Sequence, residues 1–208
     1  MIVIIDYDTG NTRNVQKALD YVGLENRLSA DPSDIESADG LILPGVGAYA
    51  LAMEELEKRS LVGLIKQAAK KGTPILGVCL GMQLLLEGSL ENGFTRGLEL
   101  IEGICEKIPS EKDFPVPHMG WNDLVVTKDT PLTANIAGEY VYFVHSYYAD
   151  CDPDAIDALA QYSLKVPAMI SKGNVYGTQF HPEKSGEVGL NILKGFKEVV
   201  DHVRLTGN

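Results

Sequence analysis

Residues 2–5, Ile-Val-Ile-Ile, form an uninterrupted apolar run that stops at Asp6. Apolar residues without alternation predict a strand buried on both faces. After a turn over Asp6 to Gly10, Val15, Ala18, Leu19 and Val22 recur at helical spacing until Gly23. Residues 24–29 read as a short second strand, and Asp31-Pro32-Ser33 opens a short helical stretch. Leu41-Ile42-Leu43 predicts a third buried strand, ended by Pro44-Gly45-Val46-Gly47. Helices are predicted over 48–59 and 61–71, and Gly72-Thr73-Pro74 separates them from the apolar run that reaches Cys79. Strand and helix thus alternate with short loops, the pattern of a parallel sheet covered by helices on both faces. Functional loops in such sheets follow the carboxyl ends of the strands. Asp6, Pro44 to Gly47 and Cys79 are therefore expected on one rim.

Beyond about residue 98 the pattern changes. Runs rich in β-branched and aromatic residues occupy 124–127, 140–149 and 168–180. Ser171-Lys172-Gly173-Asn174 reads as a hairpin turn between Ala168-Met169-Ile170 and Val175-Tyr176-Gly177. The final helix is expected from near Ser185, a favoured N-cap residue. Ile192, Leu193, Phe196, Val199, Val200 and Val203 mark its buried stripe. The fold class is α/β: a mostly parallel central sheet flanked by helices, with additional antiparallel or mixed sheet in the C-terminal half. No linker, repeat or low-complexity stretch divides residues 1–208, which reads as a single domain.

Composition narrows the function. A net charge of −11 disfavours nucleic acid and anionic membranes as partners, since both require basic surface. Cys79, Cys105 and Cys151 are odd in number and widely spaced, which fits neither a disulfide framework nor a zinc knuckle. A reducing, cytoplasmic setting follows. The first apolar run lacks a basic leader and is too short for a signal peptide, and no apolar stretch is long enough to cross a bilayer.

Candidate chemistry centres on Gly77-Val78-Cys79-Leu80-Gly81-Met82-Gln83. A strand that ends at a cysteine flanked by glycines and continues into a helix describes a sharp elbow. Its thiol would sit at a helix N-terminus, where the thiolate is favoured. A buried core cysteine is the competing reading for this stretch alone. Four histidines occur. His118 is placed in a loop, His145 at the end of the run from Tyr140, and His202 late in the final helix. His181 ends an apolar strand segment and is followed by Pro182 and Glu183. In an extended segment residues i and i+2 share a face, so Glu183 could accept the Nδ1–H of His181 and leave Nε2 free as a base. Cys79, His181 and Glu183 together supply nucleophile, base and orienting carboxylate. The N–H of Leu80 is placed as one oxyanion donor, and the backbone at Gly47 can supply another. The implied reaction is acyl transfer through a thioester.

Other motifs fail on their missing halves. Gly45-Val46-Gly47-Ala48-Tyr49-Ala50 matches a dinucleotide pattern, but no acidic ribose ligand ends the next convincing strand. His181-Pro182-Glu183 lacks the Pro-Cys-x-x-Cys partner of a zinc deaminase. Asp150, Asp152 and Asp154 lack the glycine and glutamate of a calcium loop. Neither cofactor nor metal is expected.

Gly77 to Gln83 together with Gln179-Phe180-His181-Pro182-Glu183 resembles the class I glutamine amidotransferases over nearly the whole chain. That resemblance implies their three-layer fold and the hydrolysis of glutamine to glutamate and ammonia by Cys79, His181 and Glu183. Gly45, Gln83, Ser146 and Tyr147 fall at positions implied to hold the substrate. Asp6 to Asn11, His118-Met119-Gly120-Trp121-Asn122, Tyr142 to Tyr147 and His181 to Gly186 are similar to one branch of the family. In that branch ammonia passes to a separate (β/α)₈-barrel cyclase subunit in histidine biosynthesis. The resemblance then implies a heterodimer, with Asn11, Asn14, Trp121 and Asn122 on the docking face. Glutaminase subunits for anthranilate or pyridoxal phosphate synthesis, and a non-catalytic partner-binding scaffold, are the alternatives.

Overall fold

A computed structural model describes residues 1–207. In chain order the strands are β1 (Ile2–Ile5), β2 (Asn26–Ser29), β3 (Gly40–Leu43), β4 (Ile75–Val78), β5 (Gly88–Ser89), β6 (Thr95–Arg96) and β7 (Gly103–Lys107). They continue as β8 (His118–Asp123), β9 (Val125–Val126), β10 (Tyr140–His145), β11 (Tyr147–Cys151), β12 (Ile156–Gln161), β13 (Lys165–Lys172) and β14 (Val175–Thr178). The α-helices are α1 (Thr12–Tyr21), α2 (Pro32–Glu36), α3 (Tyr49–Lys58), α4 (Leu61–Lys70), α5 (Leu80–Leu84) and α6 (Gly186–Thr206).

A central sheet runs in the order β2-β1-β3-β4-β14-β13-β12-β9. From β2 to β14 the neighbours are parallel; from β14 to β9 they are antiparallel. The uniform apolar runs are explained by burial on both faces. Ile2 and Ile4 point into one core with Val15 and Leu19 of α1 and Phe196 of α6. Val3 and Ile5 point into the other, with Leu56 of α3 and Ile65 of α4. Local chemistry sets the helix ends. Asp31 caps α2 by accepting the Ser33 N–H at 2.8 Å. Two smaller sheets stand beside the main one: β10 with β8, and β11-β7-β5-β6.

The α/β class, the parallel first half and the hairpin after Ser171 follow the sequence reading. The antiparallel strands extend the central sheet itself, so the two halves share one hydrogen-bonded frame. The run 140–149 breaks at Ser146, which sends β10 and β11 into different sheets. His118 lies not in a loop but at the start of β8. Its alternation is inverted: Met119 and Trp121 are exposed, whereas polar His118 is buried. Such a strand has no hydrophobic inward face to betray it. Ser185 precedes α6 but does not cap it. Its hydroxyl donates to the His181 carbonyl at 2.6 Å and accepts the Tyr142 N–H at 3.0 Å.

Helix α5 packs so tightly on the end of β3 that a Cβ on Gly81 would run into the Leu43 carbonyl oxygen. On the outer face of α4, by contrast, a Cβ on exposed Gly63 meets nothing within 4 Å. Gly81→Ala is expected to destabilise the chain by about 3 kcal/mol through overpacking. Gly63→Ala is expected to stabilise it by about 0.5–1 kcal/mol through helix propensity. Urea denaturation of both variants checks the pair; a neutral Gly81→Ala would show that α5 has room to move.

Candidate active site

Strand β4 delivers Cys79 directly to the start of α5, with φ 55° and ψ −112°. Residues with side chains rarely hold a positive φ, and such strain costs on the order of 1–3 kcal/mol. The surrounding backbone enforces it. The Cys79 N–H donates to the Thr178 carbonyl at 2.8 Å, and its own carbonyl accepts from Met82 and Gln83 at 3.0 and 3.3 Å. The elbow also folds back on itself: a Cβ on Gly77 would stand 2.6 Å from the Gly81 carbonyl oxygen. Cys79 is 7% exposed. Its Sγ lies 3.9 Å from the Val144 carbonyl oxygen and 4.0 Å from Gln179 Nε2.

His181 follows β14, the neighbour of β4, so the sheet brings it to Cys79. Its N–H donates to the Tyr142 carbonyl at 3.1 Å, which ties it to β10. His181 Nδ1 and Glu183 Oε1 are 2.7 Å apart, both side chains 3% exposed. The carboxylate arrives through a 3₁₀ turn over Pro182–Lys184 and not along an extended strand. The pairing predicted from i, i+2 spacing is therefore present for a different backbone reason. Among the described residues, His181 Nε2 and Glu183 Oε2 are buried without a hydrogen bond of normal geometry. Burial pulls the imidazolium down, but the Cys79 sulfur and the Glu183 carboxylate outweigh it and raise His181 to about 9. Near neutral pH the ring holds its proton.

A cavity of about 430 Å³ opens at this point. Gly47, Cys79, Leu80, Gln83, Ser146, Tyr147 and His181 line it, as do Val46, Glu91, Pro117, Val144 and His145. Gly45 stands apart from these: it packs under the elbow, where a Cβ would lie 2.7 Å from the Tyr7 hydroxyl and 2.9 Å from Gly81 N. That hydroxyl donates to the Pro44 carbonyl and so fixes the glycine-rich loop. Gly47 has φ 94°, a glycine conformation. Thr9 Oγ1 brackets Val46 at 3.3 Å from both its N and its O. Leu80 opens α5, so its N–H has no carbonyl within its own helix.

Two residues on this site are given no role by sequence reasoning. Glu91 reaches the cavity from the loop after β5 while Oε2 accepts the Tyr49 N–H at 2.8 Å. It thereby supplies the cap that Ala48 cannot make for α3. Gln179 is fully buried, and its Oε1 accepts from Gln83 Nε2 at 2.9 Å. The signal for Gln179 is its place in the Gln-Phe-His-Pro-Glu stretch. For Glu91 there is none.

The four candidate docking residues differ in setting. Trp121 is 57% exposed and meets Tyr142 edge-on, with ring centroids 6.1 Å apart. Exposed Met119 and Tyr140 flank it. Asn11 is exposed and Asn14 half-buried at the start of α1. Asn122 is half-buried, and its Nδ2 donates to the Gln161 carbonyl at 2.8 Å.

Residues 3–198 match the model of the family described as glutamine amidotransferase class-I. A protein of Listeria monocytogenes serotype 4b named imidazole glycerol phosphate synthase subunit HisH is 62% identical over 200 residues, 96% of each chain. Its Streptococcus mutans namesake is 59% identical, over 97% of this chain and all of that one. A solved structure described as glutamine amidotransferase superposes with TM-score 0.76 at 18% identity, over 97% of this chain and 100% of that one. A chain from the structure of PurLQS of Thermotoga maritima gives 0.73 at 22% identity, over 97% of this chain and 98% of that one. Family model, full-length relatives and shared fold agree, and the chain belongs to the class I glutamine amidotransferases.

Proposed function

We propose that Cys79, His181 and Glu183 carry the glutamine amidotransferase chemistry of this chain, acting as the glutaminase subunit of an imidazole glycerol phosphate synthase. The observation that carries the assignment is that a strained, buried cysteine shares one cavity wall with His181, whose ring is held by Glu183. The thiolate attacks the side-chain amide carbon of glutamine. Charge moves to the amide oxygen, where the backbone N–H groups of Leu80 and Gly47 receive it. Each donor of this kind lowers the barrier by about 3 kcal/mol. His181 gives its proton to the amide nitrogen, the C–N bond breaks, and ammonia leaves. Water, deprotonated by the now neutral His181, hydrolyses the thioester to glutamate.

The rest of the cavity fits the amino-acid end of the substrate. Among the described residues Glu91 is the acidic side chain on its wall, suited to the glutamine ammonium group. Gln83, Ser146 and Tyr147 offer polar groups, and Gly45 supports the wall from beneath the elbow. Ammonia is protonated and lost in open water, so a synthase subunit should dock over the cavity mouth. The outward face of β8 and β10 suits a (β/α)₈-barrel cyclase: Trp121 and Tyr140 are exposed, and Val144 on the same face lines the cavity. Asn11 and Asn14, at the start of α1, are further docking candidates, and Asn122 supports β8 from within. A cytoplasmic setting fits the free cysteines, and among the described residues no helix is long and apolar enough to cross a membrane.

Glutamate release should be measured from glutamine with and without the cyclase subunit. Cys79→Ala is expected to abolish it, Glu91→Gln to raise KM about tenfold, and the cyclase to accelerate the wild type. Retained activity in Cys79→Ala would remove the mechanism, and indifference to the cyclase would remove the pathway. The His181 ring, followed by ¹⁵N NMR, is expected to titrate near pH 9 and at lower pH in Glu183→Gln. An ordinary midpoint in both proteins refutes the ion pair. Trp121→Ala should weaken cyclase binding at least about tenfold while sparing the fold; calorimetry finding equal affinity takes Trp121 off the interface.

A further inference from the structure

Two buried histidines, His145 on the cavity wall and His118 behind it, play no part in the steps above. His118 on β8 and His145 at the end of β10 are cross-strand partners, 3% and 6% exposed. His118 Nδ1 lies 2.8 Å from His145 Nε2. His145 Nδ1 lies 2.7 Å from the Tyr147 carbonyl oxygen, and His118 Nε2 lies 3.3 Å from Asn122 Nδ2. These contacts fix the direction of every bond. A carbonyl oxygen can only accept, so His145 Nδ1 carries a proton. In a neutral ring Nε2 is then an acceptor, so His118 Nδ1 donates to it. His118 Nε2 is left to accept from the Asn122 amide.

Burial keeps both rings neutral, pulling His118 down to about 4. Burial takes His145 to about 3; the Tyr147 carbonyl opposes this, while the His118 and His181 rings add to it. Stacking sets the plane of His118, whose centroid lies 4.6 Å from that of Phe143 and 4.1 Å from that of Tyr162.

The network continues beyond Tyr147. Its carbonyl also accepts from Gln83 Nε2 at 3.0 Å, and the same nitrogen donates to Gln179 Oε1. Gln179 in turn points Nε2 at Cys79 Sγ. One carbonyl oxygen therefore joins the histidine pair to a cavity wall that ends at the sulfur.

We propose that His118 and His145 are positioning residues for glutamine hydrolysis: a one-way hydrogen-bond relay from Asn122 that fixes the Tyr147 carbonyl and, through it, holds Gln83 in the orientation that meets the substrate. The inference rests on glutamine occupying this cavity. Without the His118 donor, the buried His145 Nε2 loses its partner. The ring can then adopt the other tautomer, which turns a lone pair toward the Tyr147 oxygen and loosens the anchor of Gln83.

His118→Phe keeps the stacking and removes both nitrogens. His118→Asn places an amide nitrogen where Nδ1 stood. Both are assayed in complex with the cyclase subunit. His118→Phe is expected to raise KM for glutamine about tenfold while kcat stays within about threefold and the thermal midpoint falls by no more than about 10 °C. His118→Asn is expected to bring KM back to within about threefold of wild type. In the wild type, ¹⁵N NMR should find the His145 proton on Nδ1. A partly unfolded variant would lose kcat without moving KM, so a loss confined to kcat overturns the relay. An unchanged KM in His118→Phe, no recovery in His118→Asn, or a proton on His145 Nε2 overturns it as well. Cys79→Ala and Gln83→Ala in the same assay separate the two readings: full activity in both would discard glutamine in this cavity, whereas their loss beside a normal His118→Phe discards the relay alone.

Discussion

The tight stack of β4, Cys79 and α5 against the end of β3 is the constraint on which the site depends. Cys79 holds a positive φ because its neighbours leave the chain no alternative. Gly77 and Gly81 touch backbone to backbone, and Gly81 presses on the carbonyl of Leu43. That same contact brings the β3 loop, with Gly47, to the α5 N-terminus, with Leu80. One packing arrangement thus exposes the sulfur at the cavity, frees an N–H beside it and seats the second loop opposite. The strain is small against what two buried cores provide, so the fold can sustain it.

Three histidines share this region, and burial drives all of them toward neutrality. The outcome differs because their partners differ. His181 faces a sulfur and a carboxylate, which hold its proton up to about 9. His118 and His145 face each other, a carbonyl and an amide; the Tyr147 carbonyl favours a charge on His145, but burial outweighs it. One ring is therefore kept ready to transfer a proton, while the other two are kept from doing so. A proton on His145 would also stand close to the His181 charge, so the neutral pair protects the charged one.

How much was legible in the sequence depends on what writes the pattern. Ile2–Ile5, Gly40–Leu43 and Ile75–Val78 were readable because burial on both faces leaves an apolar run. Cys79, His181 and Glu183 were readable because an elbow needs its glycines and a base needs its carboxylate. Strand β8 was not, since it turns Met119 and Trp121 outward and His118 inward. The residues that reverse the hydrophobic rule are those on a surface suited to a partner. Glu91 left no trace because its position comes from the Tyr49 N–H it caps, a contact 42 residues away along the chain. The 3₁₀ turn at Pro182 shows the reverse case: the right pair of side chains was expected on the wrong backbone.

The inverted alternation of β8 also bears on how the subunit must work. Its outward side chains cluster with those of β10 into a largely apolar face, and Val144 of that face already forms part of the cavity wall. Its inward side chains, His118 and Asn122, bond toward Tyr147 and the substrate wall. A partner seated on Trp121 would press on a two-stranded sheet whose other side holds Gln83 in place. Such a sheet is thin enough for both faces to feel the same displacement. With a partner docked there, docking and substrate positioning would be two sides of six residues, His118–Asp123, and the polarity that hid this strand in the sequence would let it serve both.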